Sequence, residues 1–268
     1  MKINHKIIFK VSVILAAVLV ALLVGAIMIL ATGESVFKTY SIIISMPFSN
    51  FRTFSEVLVR MIPLTIIALG ICVSSRCGIN NIGAEGQMAM GIIATTAVAF
   101  VVAPLPRFLA IPIAILAGAI AGGVWGFIPG ILKAKLDVSE LLSTVMLNYA
   151  AAQFYAFMIR VPLIDPNEKT GTPMSARLPE STVLNKLFKG AAVHQGIFLA
   201  LILALLVYLL LWKTSWGYKM RAAGASQRAA KYGGINVSRY LIIAMIISGA
   251  CAGMAGSVEL MGNQGRAM

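Results

Sequence analysis

Ten residues, Gly78-Ile79-Asn80-Asn81-Ile82-Gly83-Ala84-Glu85-Gly86-Gln87, gather the groups best able to do chemistry in this chain. Asn80, Asn81 and Gln87 each carry an amide that can donate and accept hydrogen bonds. Glu85 is the only charge between Arg76 and Arg107. Apolar runs flank the stretch on both sides, and a carboxylate at bilayer depth must face protein or water, because facing lipid costs several kcal/mol. Three glycines at this density break a helix, and broken backbone is stable in a membrane only inside protein or beside a cavity. Asn80, Asn81, Gly83, Glu85, Gly86 and Gln87 are therefore expected to line a polar pathway or to hold a broken helix together. Asn148, a lone amide on a later apolar run, joins them as a pathway candidate or as interhelical glue. For Glu85 the leading expectation is structural, a carboxylate accepting backbone N–H groups at a helix start.

The rest of the chain offers little other chemistry. Cys72, Cys77 and Cys251 lie in or beside apolar segments without metal-ligand spacing, and His5 and His194 have no partner pattern. No phosphate-binding Gly-x-x-x-x-Gly-Lys-Ser/Thr loop, Gly-x-Ser-x-Gly elbow or His-Glu-x-x-His pair occurs. No catalytic residue, metal or cofactor is expected, so any pumping draws on an ion gradient or on a separate subunit.

The elements that must position these groups follow from composition. The 268 residues are 59% hydrophobic and 12% charged, with a mean hydropathy of +0.91, against roughly 25% charged in a soluble domain. The chain reads as an all-α polytopic membrane protein. Its net charge of +13 sits at the ends of apolar runs, which favours a lipid bilayer and no nucleic acid. Uncharged runs span Val11–Ala31, Phe108–Leu132, Leu141–Ile159, Gly190–Trp212 and Tyr240–Val258, with two less regular ones at Phe54–Ser75 and Gly86–Ala103. That makes about seven transmembrane helices, one of them broken. The first run resembles a signal peptide in its basic start but is long enough to span and is expected to be retained.

Loop charge orients them. Lys2, Lys6 and Lys10 open the chain, Lys133 and Lys135 follow the fourth span, and the loop 213–239 carries six basic residues and no acid. The loop 162–194 is nearly balanced, with Lys169, Arg177, Lys186 and Lys189 against Asp165, Glu168 and Glu180. Seven spans with a cytoplasmic N-terminus put every basic loop inside and the 162–194 loop outside.

Two further patterns concern packing and docking. Ala110, Ala114, Gly118, Gly122, Gly126 and Gly130 recur every fourth residue, and Gly249 and Gly253 repeat the spacing before Gly256. Small residues in such register let helix backbones approach closely, although membrane helices are rich in Gly and Ala in any case. Between Gly224 and Gly233, Ala225–Tyr232 can form two helical turns carrying Gln227, Arg228 and Lys231. A short basic helix there is either a docking knob for a partner protein or an ordinary positive-inside loop.

The segment from Gly217 to Ile235, Gly-Tyr-Lys-Met-Arg-Ala-Ala-Gly-Ala-Ser-Gln-Arg-Ala-Ala-Lys-Tyr-Gly-Gly-Ile, resembles the cytoplasmic coupling segment of ABC-transporter permeases of the branched-chain amino acid, ribose and nucleoside import group. Asn81-Ile-Gly-Ala-Glu-Gly-Gln87, Ser139-Glu-Leu-Leu-Ser-Thr-Val-Met-Leu-Asn-Tyr149 and Ser248-Gly-Ala-Cys-Ala-Gly-Met-Ala-Gly-Ser-Val-Glu259 are similar to three more landmarks of that group, in the same order. The wording is nearest to the nucleoside and simple-sugar permeases.

The resemblance implies a permease subunit in the plasma membrane, working with cytoplasmic ATP-binding subunits, an extracytoplasmic solute-binding protein and a second permease subunit. It implies ATPase coupling through Arg221, Gly224, Arg228, Ala229, Ala230, Lys231, Gly233 and Gly234. Neutral amides suit a sugar or nucleoside, whose hydroxyls and base edges need hydrogen bonds without charge.

Two departures stand out. Asn80 occupies a position where the group carries an aromatic or aliphatic residue. The sequence ends at Arg266-Ala267-Met268, where the group continues through further spans, so a single permease domain (1–268) truncated at its C-terminus is expected. The rival reading is an ion-coupled secondary transporter or channel with Glu85 as the coupling residue. A membrane scaffold without transport is a third.

Overall fold

A computed structural model describes residues 5–166, 171–188 and 190–268. Lys2, Glu168, Lys169 and Lys189, counted above among the loop charges, lie outside the described residues. The elements are helices α1 (His5–Ala31), α2 (Val36–Ser45), α3 (Phe51–Arg76), α4 (Ala84–Val101), α5 (Arg107–Leu136), α6 (Glu140–Arg160), α7 (Gly196–Lys213), α8 (Ser215–Ala225), α9 (Gln227–Tyr232) and α10 (Val237–Glu259). A single π-helical turn, Leu260–Gln264, extends α10. Seven of the described helices are long and apolar enough to cross a membrane: α1, α3, α4, α5, α6, α7 and α10. The protein is an all-α multi-pass membrane protein. Most spans outrun the uncharged runs by a residue or more because they take in basic ends such as Lys133, Lys135, Arg160 and Lys213, whose long stems let the charge reach the interface.

The chain divides into two compact units, 1–54 and 55–268. In the first, α1 presents apolar side chains all round, and none of its span is buried within the chain. The Tyr40 hydroxyl of α2 donates to the Leu22 carbonyl at 2.6 Å, and Ser35 caps α2 by accepting the Lys38 N–H.

In the second unit α10 is the most deeply buried span. It lies along α5, and the small residues of both helices face each other there. A Cβ on Gly253 would strike the Gly118 carbonyl, one on Gly122 the Gly249 carbonyl, and one on Gly126 would stand 2.6 Å from the Met245 carbonyl. α4 packs on the same helix, since a Cβ on Gly91 would stand 2.5 Å from the Gly253 backbone. α3 joins through Gly70, whose Cβ would meet the Ser248 carbonyl at 2.8 Å. Thr95, Ser257 and the Ala114 carbonyl link α4, α10 and α5 at one point, with hydroxyls 2.7 Å apart.

Two departures from the expected elements have physical causes. The span expected from Gly190 begins at Gly196, because Gly190 takes a left-handed φ of 87° and buried His194 accepts the Gly196 N–H at its Nδ1 (3.1 Å). The docking helix expected over Ala225–Tyr232 is two helices broken at Ser226, which turns extended (φ −160°, ψ 110°) and caps α9 by accepting the Ala229 N–H. Gly224 does not end a helix but lies inside α8.

Residues 175–184 lie over the far end of α10. Leu184 donates its N–H to the Met261 carbonyl, Leu178 to Gly265 and Ser175 to Ala267, each at 2.9 Å. Arg107 reaches the same segment by donating to the Glu180 and Val183 carbonyls at 3.0 Å.

Gly253→Ala is expected to lower stability by about 1–3 kcal/mol, because its methyl group meets backbone that cannot rotate away. Gly123→Ala, whose new Cβ finds nothing nearer than 3.4 Å, is the matched control. Thermal unfolding of the purified protein in detergent should separate the two; equal melting temperatures would show that the helix contact does not set stability.

Candidate functional site

α3 ends at Arg76, and the backbone then turns at Gly78 with a left-handed φ of 82° that favours glycine. The next residues run without regular structure until α4 starts at Ala84. This break sits well inside the bundle. Asn81 bonds to Ser248, at the middle of α10, and Gly86 bonds to Asn148, near the middle of α6. At a rise of ~1.5 Å per residue, Ser248 stands roughly 16 Å from the start of α10.

Three of the predicted polar residues are consumed by one another and by their neighbours. Asn81 and Gln87, 3% and 1% exposed, form a reciprocal amide pair. Asn81 Nδ2 donates to Gln87 Oε1 at 2.7 Å, and Gln87 Nε2 donates back to Asn81 Oδ1 at 3.1 Å. Asn81 also donates to Ser248 Oγ at 2.8 Å and accepts the Gly83 N–H at 2.9 Å. Asn148 clamps the break from α6: its Nδ2 donates to the Ile82 carbonyl at 3.0 Å and its Oδ1 accepts the Gly86 N–H at 2.9 Å. Three backbone groups freed by the break, the Gly83 and Gly86 N–H groups and the Ile82 carbonyl, are thus satisfied inside protein.

Gly83 and Gly86 make room for this arrangement. A Cβ on Gly83 would meet Thr144 at 3.1 Å and the Asn81 and Gln87 amides at 3.2 Å. One on Gly86 would meet Asn148 Oδ1 at 2.9 Å.

Asn80 and Glu85 behave differently. Both are exposed, and among the described residues no hydrogen bond or ion pair reaches the Glu85 carboxylate. It lies in the first turn of α4, whose N-cap is Gly83, but caps none of the helix N–H groups. The helix-start bonds expected of it are absent among the described residues; the Asn81 and Asn148 side chains accept the Gly83 and Gly86 N–H groups instead.

The basic segment lies against the foot of the break. α8 packs so closely that a Cβ on Gly224 would strike the Arg76 carbonyl and stand 3.0 Å from the Cys77 backbone, while one on Gly78 would stand 3.0 Å from Gly224. Cys77 and Ile79 share an apolar cluster with Met220 and Ala223 of α8, Ala230 of α9, and Val237 and Tyr240 of α10. Burial pushes the Cys77 thiol up to about 12. In α9, Ala230 points into this cluster while Ala229, Arg228, Lys231 and Tyr232 are exposed. Gly233 ends α9, and Gly234 follows with a left-handed φ of 76°. Residues missed by the sequence reading are Ser248 as partner of the amides, Thr144 against Gly83, and Gly78 and Cys77 as the seat of α8. Ser248 had appeared only as the first letter of a landmark.

A family model described as the branched-chain amino acid transport system permease component matches residues 53–267. The guanosine ABC transporter permease protein of Bacillus subtilis (strain 168) is 34% identical over 250 residues, covering 92% of this chain and 71% of the relative. The nucleoside ABC transporter permease protein of Lactococcus lactis subsp. cremoris is 33% identical, covering 93% of this chain and 70% of its own length. The glucose ABC transporter permease protein of Haloferax volcanii is 31% identical, with 93% and 67% covered. No solved structure matches the chain.

Asn81→Ala should cost about 1–3 kcal/mol, because it strands the buried Gln87 amide and the Ser248 hydroxyl together. Asn80→Ala, at an exposed site, should leave the melting temperature unchanged. Identical melting curves for the two variants would rule out the amide latch.

Proposed function

The chain belongs to the branched-chain amino acid transport system permease component family, and from that premise we propose that it is the membrane-spanning subunit of an ATP-binding-cassette importer for a nucleoside or simple sugar. The solute class rests on the relatives, which are named as guanosine, nucleoside and glucose permeases. ATP hydrolysis falls to separate cytoplasmic subunits and solute delivery to an extracytoplasmic binding protein. A second permease subunit completes the pathway. Loop charge supports a plasma-membrane orientation with the N-terminus, Lys133, Lys135 and the 213–239 loop in the cytoplasm and the 162–194 loop outside.

One observation carries the reading: the exposed basic knob α9 and its companion α8 rest on residues 76–79, two residues before the Asn81 latch. Force applied to α9 by an ATPase passes through Ala230 and α8 to Gly78. There it meets a backbone contact without compliant side chains. From Gly78 it reaches Asn81, and through Asn81 it reaches α4 and α10 at mid-depth. A tilt of α8 thereby changes how the start of α4 sits against Ser248. Asn80 and Glu85, the polar groups of the break left outside this latch, line the water-filled pathway. A carboxylate at that depth without a partner among the described residues needs water or an opposite charge.

Uptake should vanish when the partner ATPase is deleted. Uptake that survives its loss but collapses with a protonophore would instead support an ion-coupled transporter working through Glu85. Arg228→Glu should reduce co-purification of the ATPase while membrane insertion stays intact; unchanged co-purification would remove α9 as the docking knob. Gly224→Ala, which drives a methyl group at the Arg76 carbonyl with about 1–3 kcal/mol of overpacking, should keep ATP hydrolysis but lose uptake. It should also expose Cys77 to maleimide at neutral pH in a background lacking Cys72 and Cys251. In the unaltered junction that thiol is buried and protonated, hence unreactive. Labelling and uptake both unchanged would sink the route through Gly78.

A further inference from the structure

At the same end of the bundle two arginines converge on one tryptophan with no counter-charge among the described residues. Arg76 ends α3, Arg221 lies in α8 and Trp212 is near the end of α7. The Arg221 guanidinium carbon stands 4.3 Å from the Trp212 ring centroid and that of Arg76 stands 5.8 Å from it. The two cations therefore lie within roughly one Debye length of each other, ~10 Å at 0.1 M salt. Among the described residues neither guanidinium has an ion pair or a hydrogen bond, and Arg221 Nε is buried without an acceptor. The terminal amines of Arg221 are not among the buried unpartnered atoms, so they open to the surface.

The setting is that of a membrane–water boundary. Trp212 in the cluster, and Trp216 and Tyr218 on α8, are 48%, 47% and 63% exposed, and such rings settle at headgroup level beside the ends of spans. The indole holds the Arg221 plane by a cation–π stack and so pre-orients its outer amines. A planar guanidinium fork fits two phosphate oxygens, which an ammonium matches less well.

We infer that Arg76, Arg221 and Trp212 form a binding site for the phosphate of an anionic phospholipid headgroup. The bound phosphate supplies the missing negative charge, and the acyl chains run down the exposed apolar faces of α3 and α7. A lipid seated there ties together the ends of α3, α7 and α8. The inference stands whether or not a second protein drives transport, since it needs only this chain and a bilayer.

The test uses the full chain reconstituted in nanodiscs of phosphatidylglycerol in phosphatidylcholine, with lipid retained after detergent extraction counted by native mass spectrometry. Phosphatidylglycerol should be held in preference to phosphatidylcholine. Arg76→Gln and Arg221→Gln should each reduce its retention roughly fivefold, the effect of removing one basic residue near an anionic surface. Arg221→Lys should also weaken it, because charge is kept while the stacked fork is lost. Lys135→Gln, which removes a charge at the end of α5, should change nothing. The Arg76 side chain is exposed and makes no hydrogen bond or ion pair among the described residues, so its variant carries the test if an Arg221 variant fails to fold. Equal loss with Lys135→Gln would reduce the effect to general surface charge and overturn the site. Undiminished retention in Arg76→Gln would overturn it too. Displacement of the lipid by millimolar inorganic phosphate would identify a free-anion site instead and overturn the assignment to lipid.

Discussion

The close approach of α5 and α10 is the constraint on which the rest of this bundle depends. In lipid, helices gain no hydrophobic energy from touching each other, so association rests on packing and on hydrogen bonds. Gly118, Gly122 and Gly126 bring the α5 backbone against Gly249 and Gly253 with no side chain between them. α4 uses Gly91 against the same Gly253, and α3 uses Gly70 against Ser248. With the backbones this near, short hydroxyls suffice to bridge helices, as the Thr95–Ser257 pair does at 2.7 Å. Longer polar side chains could not fit there, and the Asn81 and Gln87 amides gather instead at the break, where α4 starts.

α10 then acts as a common spine. Its first turns, Val237, Tyr240 and Leu241, belong to the apolar cluster that seats α8 and α9. Its middle carries Ser248, the partner of Asn81. Its π-helical extension supplies the Met261 carbonyl, and Gly265 just beyond it a second, to which the Leu184 and Leu178 N–H groups donate. A helix that touches both ends and the central break couples them without a flexible joint. The widened turn at Leu260–Gln264 is its one irregularity, and turns of that kind are rare and recur at functional sites.

How much of this could be read from the sequence depends on the range of the interaction. Spans were legible because their apolar length is a local property, and the glycine ladder because a period of four is one too. Gly224 shows where local reading fails. A glycine inside a helical pattern signals either an end or a close approach, and only the Arg76 carbonyl, far off in sequence, decides for the latter. Gly190 misled in the opposite sense: an uncharged run continued past it, yet its left-handed backbone and the buried His194 delay α7 to Gly196. Asn81 could be marked as chemically unusual, but its partner lies 167 residues away. For Glu85 local grounds favour the structural role, yet tertiary contacts fill the capping role with Asn81 and Asn148 instead.

The same accounting of partners separates internal structure from surfaces that meet something else. Asn81, Gln87 and Asn148 have their amides matched within the chain, so a solute could use them only by breaking a buried network, at about 1–3 kcal/mol for each group left unpaired. Glu85, Arg76 and Arg221 have no opposite charge among the described residues. Lys133, by contrast, lies 2.9 Å from Asp137 and 3.4 Å from Glu140 and is neutralised locally. Charges at bilayer depth or at its boundary are costly when isolated, so Glu85, Arg76 and Arg221, unmatched where Lys133 is paired twice, rely on surroundings beyond the described residues. On the proposed function that surrounding is water or a facing subunit for Glu85, and on the inferred lipid site it is the headgroup layer for Arg76 and Arg221.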